Sequence, residues 1–256
     1  MTPTPIRTES ANRLTRIIID RPDKKNALTA AMYTALAEAI EQAEADPNCR
    51  VIVISGEGGF TAGNDLADFL DNPPRDESSP VFRFLAAISQ AEKPIVAAVT
   101  GPAVGIGTTM LLHCDLIYAG PGSRFQLPFV NLGLCPEAAS SYLLPLRLGQ
   151  ARAAELLLLG EPFGADKALE YGLVNAVYPD DEVLEQALTV AVKLAAKPAA
   201  AVRLTKQLLK QSSHPTVQQT IALEADYFRQ QLDTPVAKEA LQAFLERRAP
   251  DFSRFD

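Results

Sequence analysis

Cysteine is scarce in this chain: Cys49, Cys114 and Cys135 are the only three. An odd count without Cys-x-x-Cys spacing argues against a disulfide framework and against a zinc site, and no metal is expected. Each cysteine sits beside apolar residues and reads as a buried thiol. Basic runs are missing too, with no block of five or more Lys or Arg and a formal net charge of −7. Nothing here would neutralise a phosphate backbone, so nucleic acid is not an expected partner. No apolar run reaches the length that spans a bilayer, and no membrane association is expected. Met1 to Ser10 lacks the apolar segment of a signal peptide, and Ser253-Arg254-Phe255-Asp256 is not a peroxisomal address. The resulting expectation is a reducing, cytoplasmic location.

What is present is ordinary globular material. The 256 residues are 47% hydrophobic and 21% charged, enough for one large domain with a helical appendage. Leu14 to Asp20 reads as a strand ended by Arg21-Pro22. Thr29 opens a helix in which Met32, Leu36, Ile40 and Ala43 recur at helical spacing, and Asp46-Pro47 closes it. Val51 to Ile54, Ile95 to Val99 and Asp115 to Ala119 are apolar runs of the kind buried on both sheet faces, with a helix around Val81 to Ala91 between the first two. The pattern predicts a mainly parallel, layered α/β core. Helical patterns dominate from about residue 138, and the Asn72-Pro73-Pro74 to Pro80 stretch reads as a mobile surface loop.

Buried strands run into two loops of small residues, Phe60 to Leu66 and Gly101 to Gly107. Met110 stands where a dinucleotide loop needs a third glycine, and Thr108-Thr109 where a phosphate loop needs Lys-Ser/Thr. The glycines serve either tight helix packing or the exposure of backbone N–H groups. Two loops that each aim one N–H at a shared point would form an oxyanion hole.

Four segments carry a resemblance: Ala62-Gly63-Asn64-Asp65-Leu66, Lys93-Pro94-Ile95-Val96-Ala97-Ala98-Val99, Gly101-Pro102-Ala103-Val104-Gly105 and Cys114-Asp115-Leu116-Ile117-Tyr118-Ala119. In order and spacing they resemble the crotonase (enoyl-CoA hydratase/isomerase) family. Arg21 to Leu28 and Ala168 to Val174 resemble its first and last signatures. The resemblance implies an α/β spiral of strand–strand–helix units over residues 1–200. It also implies a helical oligomerisation region over 201–256, and assembly as a homo-trimer or dimer of trimers. The expected substrate is an acyl-CoA, with no cofactor beyond the coenzyme A it carries.

The resemblance assigns the oxyanion donors to the backbone of Asn64 and Ile106. Asn64 replaces the more usual alanine, and its amide either adds a contact or merely fits. In hydratases of this family two glutamates share the proton transfers, and they belong where this chain has Thr109 and Phe129. The segment around Glu137 resembles the Pro-Glu stretch of monofunctional enoyl-CoA isomerases, with Ala138 where those usually have glycine. Glu137 is then a base in an apolar setting, the alternative being a charge at a helix start. The coenzyme A contacts are expected from Lys24, Lys25 and Ala27, from Ala62, Asp65 and Leu66, and from Gly105. Further substrate or coenzyme A contacts are expected from Phe129, from Cys135 close to Glu137, and from Phe244 and Arg247 of the C-terminal region. Solvated surface charge is the competing reading for Lys24, Lys25, Arg247 and Arg248. His113-Cys114 and His214 read as packing and helix-boundary residues. The expected reaction is isomerisation of a 3-enoyl-CoA to the trans-2-enoyl-CoA. Hydration of a 2-enoyl-CoA or another acyl-CoA reaction remains open, as does a non-catalytic acyl-CoA or RNA-binding role.

Overall fold

The computed structural model describes residues 5–76 and 78–255. Strands β1 (Ile6–Ala11) and β2 (Leu14–Ile19) form an antiparallel hairpin that turns at Asn12 and Arg13, both with positive φ. Helix α1 (Ala30–Ala45) follows, and the Thr29 hydroxyl accepts from the Met32 N–H at its start. Its far end is closed by the buried Lys93, whose Nζ donates to the Ala43 and Asp46 carbonyls at 2.6 and 2.7 Å. A lysine there satisfies carbonyls that the helix leaves open and meets the negative end of its dipole.

The chain continues through β3 (Val51–Gly56), α2 (Leu66–Asp71), α3 (Pro80–Gln90) and β4 (Ile95–Val99). Next come β5 (Pro102–Val104), α4 (Ile106–Thr109), β6 (Leu116–Ala119) and β7 (Arg124–Gln126). The stretch expected to be a mobile loop includes Glu77, outside the described residues; within it Pro74 is buried rather than displayed. Helices α5 (Ser140–Leu148) and α6 (Gln150–Leu159) precede β8 (Phe163–Gly164), α7 (Ala165–Glu170), β9 (Ala176–Val177) and α8 (Val183–Ala195). Three helices close the described chain: α9 (Ala199–Gln211), α10 (His214–Leu232) and α11 (Pro235–Leu245).

The main sheet has the order β1-β2-β3-β4-β6-β9, parallel from β2 onward, and a second sheet has the order β5-β7-β8. Single bridges, Leu28 with Asn64 and Thr61 with Ala103, extend the second layer towards the chain start. Successive turns thus place one long strand in the first sheet and a short extended piece in the second before a helix returns. This is the expected strand–strand–helix spiral. Val51 to Ile54 and Ile95 to Val99 are buried on both faces as read, while Asp115 and Leu116 are half-buried at the start of the third run; α8 covers one face through Val183, Ala187 and Ala191, and the larger core fills the other. Helices α10 and α11 fold back over this chain's own core. No helix among the described residues is long and apolar enough to cross a membrane.

Candidate active site

A cavity of about 770 Å³ opens between the ends of the two small-residue loops, the 128–137 segment and the C-terminal helices. Its near wall begins with Lys24 and Ala27, held from behind by the buried Asn26, whose side-chain amide donates to the Glu57 and Gly59 carbonyls while its Oδ1 accepts from the Arg21 N–H. This pins Lys24 to Ala27 against the first loop, where the Ala62 N–H donates to the Lys25 carbonyl at 2.9 Å. The Arg21 guanidinium bonds Asp65 at 2.7 Å. Burial opposes the Asp65 charge, but Arg21 and the Asp68 and Ala67 N–H groups hold that carboxyl below its usual range. Asp65 is thereby committed to structure, capping α2.

The two loops are joined by backbone. Thr61 donates to the Pro102 carbonyl at 2.8 Å, and Val104 donates to the Thr61 carbonyl at 3.1 Å. Gly63 has φ +89°, and a Cβ on it would lie 2.6 Å from the Val104 carbonyl oxygen, so only glycine permits this approach. The result sets Asn64 and Ile106 on the same cavity, and neither of their N–H groups finds an acceptor among the described residues. The Asn64 side chain is engaged elsewhere, its Oδ1 accepting from the buried Tyr33 hydroxyl.

Glu137 lines the same cavity. Its Oε1 is buried and has no hydrogen-bond partner among the described residues. Burial, and then the charge of Glu224, raise this carboxyl from 4.5 to about 8. The residues after it form a tight turn: the Ser140 N–H donates to the Glu137 carbonyl at 3.0 Å, with Ala138 and Ala139 at φ 60° and 56°. These are the angles of a type I′ turn, which favours glycine or asparagine. The site of Ala138 thus calls for positive φ rather than mere smallness, and alanine there is strained. Neighbours hold it in place. His113 Nε2 lies 2.8 Å from the Ala138 carbonyl, and the Ala139 N–H donates to Glu224 Oε2 at 2.6 Å. Burial keeps the His113 ring neutral, with its pKa down at about 3, so Nε2–H is the donor.

Of the residues singled out in the sequence, Lys24, Ala27, Ala62, Asp65, Leu66, Gly105, Phe129 and Phe244 also line this cavity. Lys25, Cys135 and Arg247 do not. Lys25 is exposed in a left-handed turn, and Cys135 turns its Sγ to the Glu224 carbonyl at 3.6 Å. Arg247 lies exposed beyond α11, beside an Arg248 that is paired with Glu239 and Glu246. Burial raises the Cys114 and Cys135 thiols to about 12 and about 11, so neither is a thiolate. Phe129 is buried at the wall, and Thr109 is fully buried with its hydroxyl unpartnered. Sequence reasoning passed over Phe228, which lines the cavity, Tyr33, which holds the Asn64 side chain, and Glu224, which holds the turn after Glu137.

A sequence profile for enoyl-CoA hydratase/isomerase matches residues 9–254. The chain belongs to the enoyl-CoA hydratase/isomerase family. It is 34% identical over 244 residues to the 2,3-dehydroadipyl-CoA hydratase of Escherichia coli, covering 94% of this chain and 95% of that one. It is 31% identical over 248 residues to human enoyl-CoA delta isomerase 2, covering 94% of this chain and 63% of the human one. A crystal structure of an enoyl-CoA hydratase/isomerase from Pseudoalteromonas atlantica T6c superposes with TM-score 0.92 at 42% identity, covering 97% and 99% of the two chains. The protein is therefore a family enzyme of mixed α/β architecture with C-terminal helices. Hydratases and isomerases both stand among its relatives, so membership alone leaves the reaction open.

Proposed function

We propose that this enzyme moves the double bond of a 3-enoyl-CoA to give the trans-2-enoyl-CoA. The observation that carries the reading is the inventory of carboxyl groups in the cavity. Among the described residues these are Asp65 and Glu137, and Asp65 is bound to Arg21 and to the start of α2. One unpartnered carboxyl suits a proton shuttle. Hydration asks for a second group to activate water, and Thr109 and Phe129 supply none.

The thioester oxygen is placed between the Asn64 and Ile106 N–H groups. Glu137 takes a proton from C2, and the electrons of that bond spread over the carbonyl and the C3–C4 double bond as a dienolate. The two N–H donors stabilise the charge that develops on oxygen, a contribution of about 10²–10³ in rate per donor. Protonated Glu137 then delivers its proton to C4, which regenerates the carboxylate and leaves the double bond between C2 and C3. A buried carboxyl with a pKa of about 8 both accepts and returns a proton near neutrality. The step transfers no electrons to or from the substrate and calls on no metal or redox group. Lys24, on the cavity wall, is placed to meet a coenzyme A phosphate. Incubation of the enzyme with 3-enoyl-CoA, followed by chromatography, tests the assignment. Faster hydration of a 2-enoyl-CoA than isomerisation of the 3-enoyl substrate would move the protein to the hydratases.

Assembly into trimers is part of the same proposal. Leu204, Leu208 and Leu209 stand exposed on α9, and Leu158 and Leu159 on α6, an apolar surface that a second copy would cover.

A further inference from the structure

The turn behind Glu137 depends on a residue from the far end of the chain. We propose that Glu224 is a positioning residue for Glu137, fastening the turn after it to α10 and setting a second negative charge beside it. The inference rests on the reading of Glu137 as the base.

Glu224 is buried, and each hydrogen bond of its carboxyl among the described residues is one that it accepts. The Ala139 N–H reaches Oε2 at 2.6 Å, the Ser141 N–H reaches Oε1 at 2.9 Å, and the Ser141 hydroxyl donates to the same oxygen. Three donors and no acceptor suit a carboxylate, since a carboxyl proton would have nowhere to go. Burial raises the Glu224 pKa, and the three bonds oppose that rise. A carboxylate without a countercharge is costly to bury, and a backbone-only cap would be served by serine or asparagine without that cost.

What the charge does is visible one turn earlier. Glu224 is fastened just beyond the strained Ala138, at Ala139 and Ser141, and its charge acts on Glu137, since two nearby carboxylates resist being ionised together. The other groups around Glu137 do not offset this. Tyr33 from α1 and Cys135 are both held protonated by burial, with Asp68 of α2 behind Tyr33. His113 is neutral, and of the cations that act on it Lys206 and Lys210 pair with Asp115 while Arg147 donates to the Leu112 and Cys114 carbonyls. Lys24 lines the cavity and makes no ion pair among the described residues. The C-terminal helices therefore supply part of the proton-transfer machinery and are more than a surface for assembly.

The test is Glu224→Gln, with pH–rate profiles for 3-enoyl-CoA isomerisation. The wild-type acid limb of kcat/KM is set by Glu137 at about 8. Loss of the neighbouring charge should move it to lower pH. It should stay above 4.5, because burial, the larger cause, remains. Loosening the turn should cut kcat by about 10-fold or more with KM little changed. Ser141→Ala removes one donor but keeps the charge, and should lower kcat without moving the limb downward. A cap with no catalytic part would change thermal stability alone. A folded Glu224→Gln variant with wild-type limb and kcat overturns the proposal. If that variant does not fold, Ser141→Ala decides, and an unchanged kcat in it overturns the proposal equally. Glu137→Gln separates the two readings: an active Glu137→Gln sinks the base itself. An inactive one beside a wild-type-like Glu224→Gln removes only the role given to Glu224.

Discussion

Exchanging Glu137 for glutamine tests the site's electrostatics and its chemistry together. The folded protein raises this carboxyl from 4.5 to about 8, while the unfolded chain returns it to the ordinary glutamate range. Between those values the folded state holds the proton and the unfolded state does not. Linkage then requires stability to fall as pH rises through that window, with the full penalty reached above about 8. A shift of this size corresponds to roughly 4–5 kcal/mol between the ends of the window. Glutamine cannot lose a proton, so its curve should lack this component. His113, depressed to about 3, and Lys210, lowered to about 8, have slopes of their own. Both residues remain in the variant, and their slopes cancel in the difference. Because glutamine leaves its own amide unpartnered, the slope against pH is the quantity to read, not the stability at one pH. Urea unfolding followed by circular dichroism, at about pH 5 and about pH 8.5, measures it. Isomerase turnover of the same variant should fall by at least about 10²-fold. Parallel stability curves for the two proteins would refute the buried, proton-binding carboxyl. Near-normal turnover in the folded variant would refute its role as base.

Replacing Asn64 by alanine should cost about 1–3 kcal/mol of stability, because the buried Tyr33 hydroxyl loses its acceptor, yet leave most of the turnover. Asn64→Pro removes the backbone donor and should lower kcat by about 10²–10³-fold; equal severe losses in both folded variants would show that the side chain acts directly. Thr109→Val and Phe129→Leu should be mild in turnover, and the first, which deletes an unpartnered buried hydroxyl, should leave stability unchanged or higher in a thermal melt. Light scattering at micromolar concentration should find a trimer or hexamer, and a strict monomer would count against the assembly.

Much of the fold was legible because the central strands are buried on both faces, so Val51 to Ile54 and Ile95 to Val99 appear as unbroken apolar runs. Strand β1 escaped for the opposite reason. It is an edge strand, pairing among the described residues with β2 alone, and its residues from Arg7 to Ala11 are exposed, so burial left no pattern in them. Its turn, Asn12-Arg13, lacks the glycine that usually marks positive φ. The second sheet was equally hard to see, because strands of two or three residues such as β7 and β8 are too short to show a period. The layer is held by contacts between distant segments, Thr61 and Gly63 meeting Val104 across the two loops, β7 pairing with β5, and β8 with β7.

The site divides along the same line. Asn64, Ile106 and Glu137 lie in local segments whose small residues and prolines identify them. The proton affinity of Glu137 is not local, because it arises from burial under α10 and from Glu224. A signal for Glu224 does exist in the sequence: Val217, Ile221 and Phe228 recur at helical spacing on α10, and Glu224 falls on that same stripe. An acid on the core face of a helix must be paired, hydrogen-bonded or functional, since the apolar neighbours that hide it give its charge nothing in return. Here its partners are the N–H groups of a strained turn. Residues on both sides of position 200 contribute to the cavity. Phe228, Leu241 and Phe244 line the cavity, and Glu224 grips the turn after Glu137. A chain ending at the core would lose both the wall of the cavity and the charge beside Glu137.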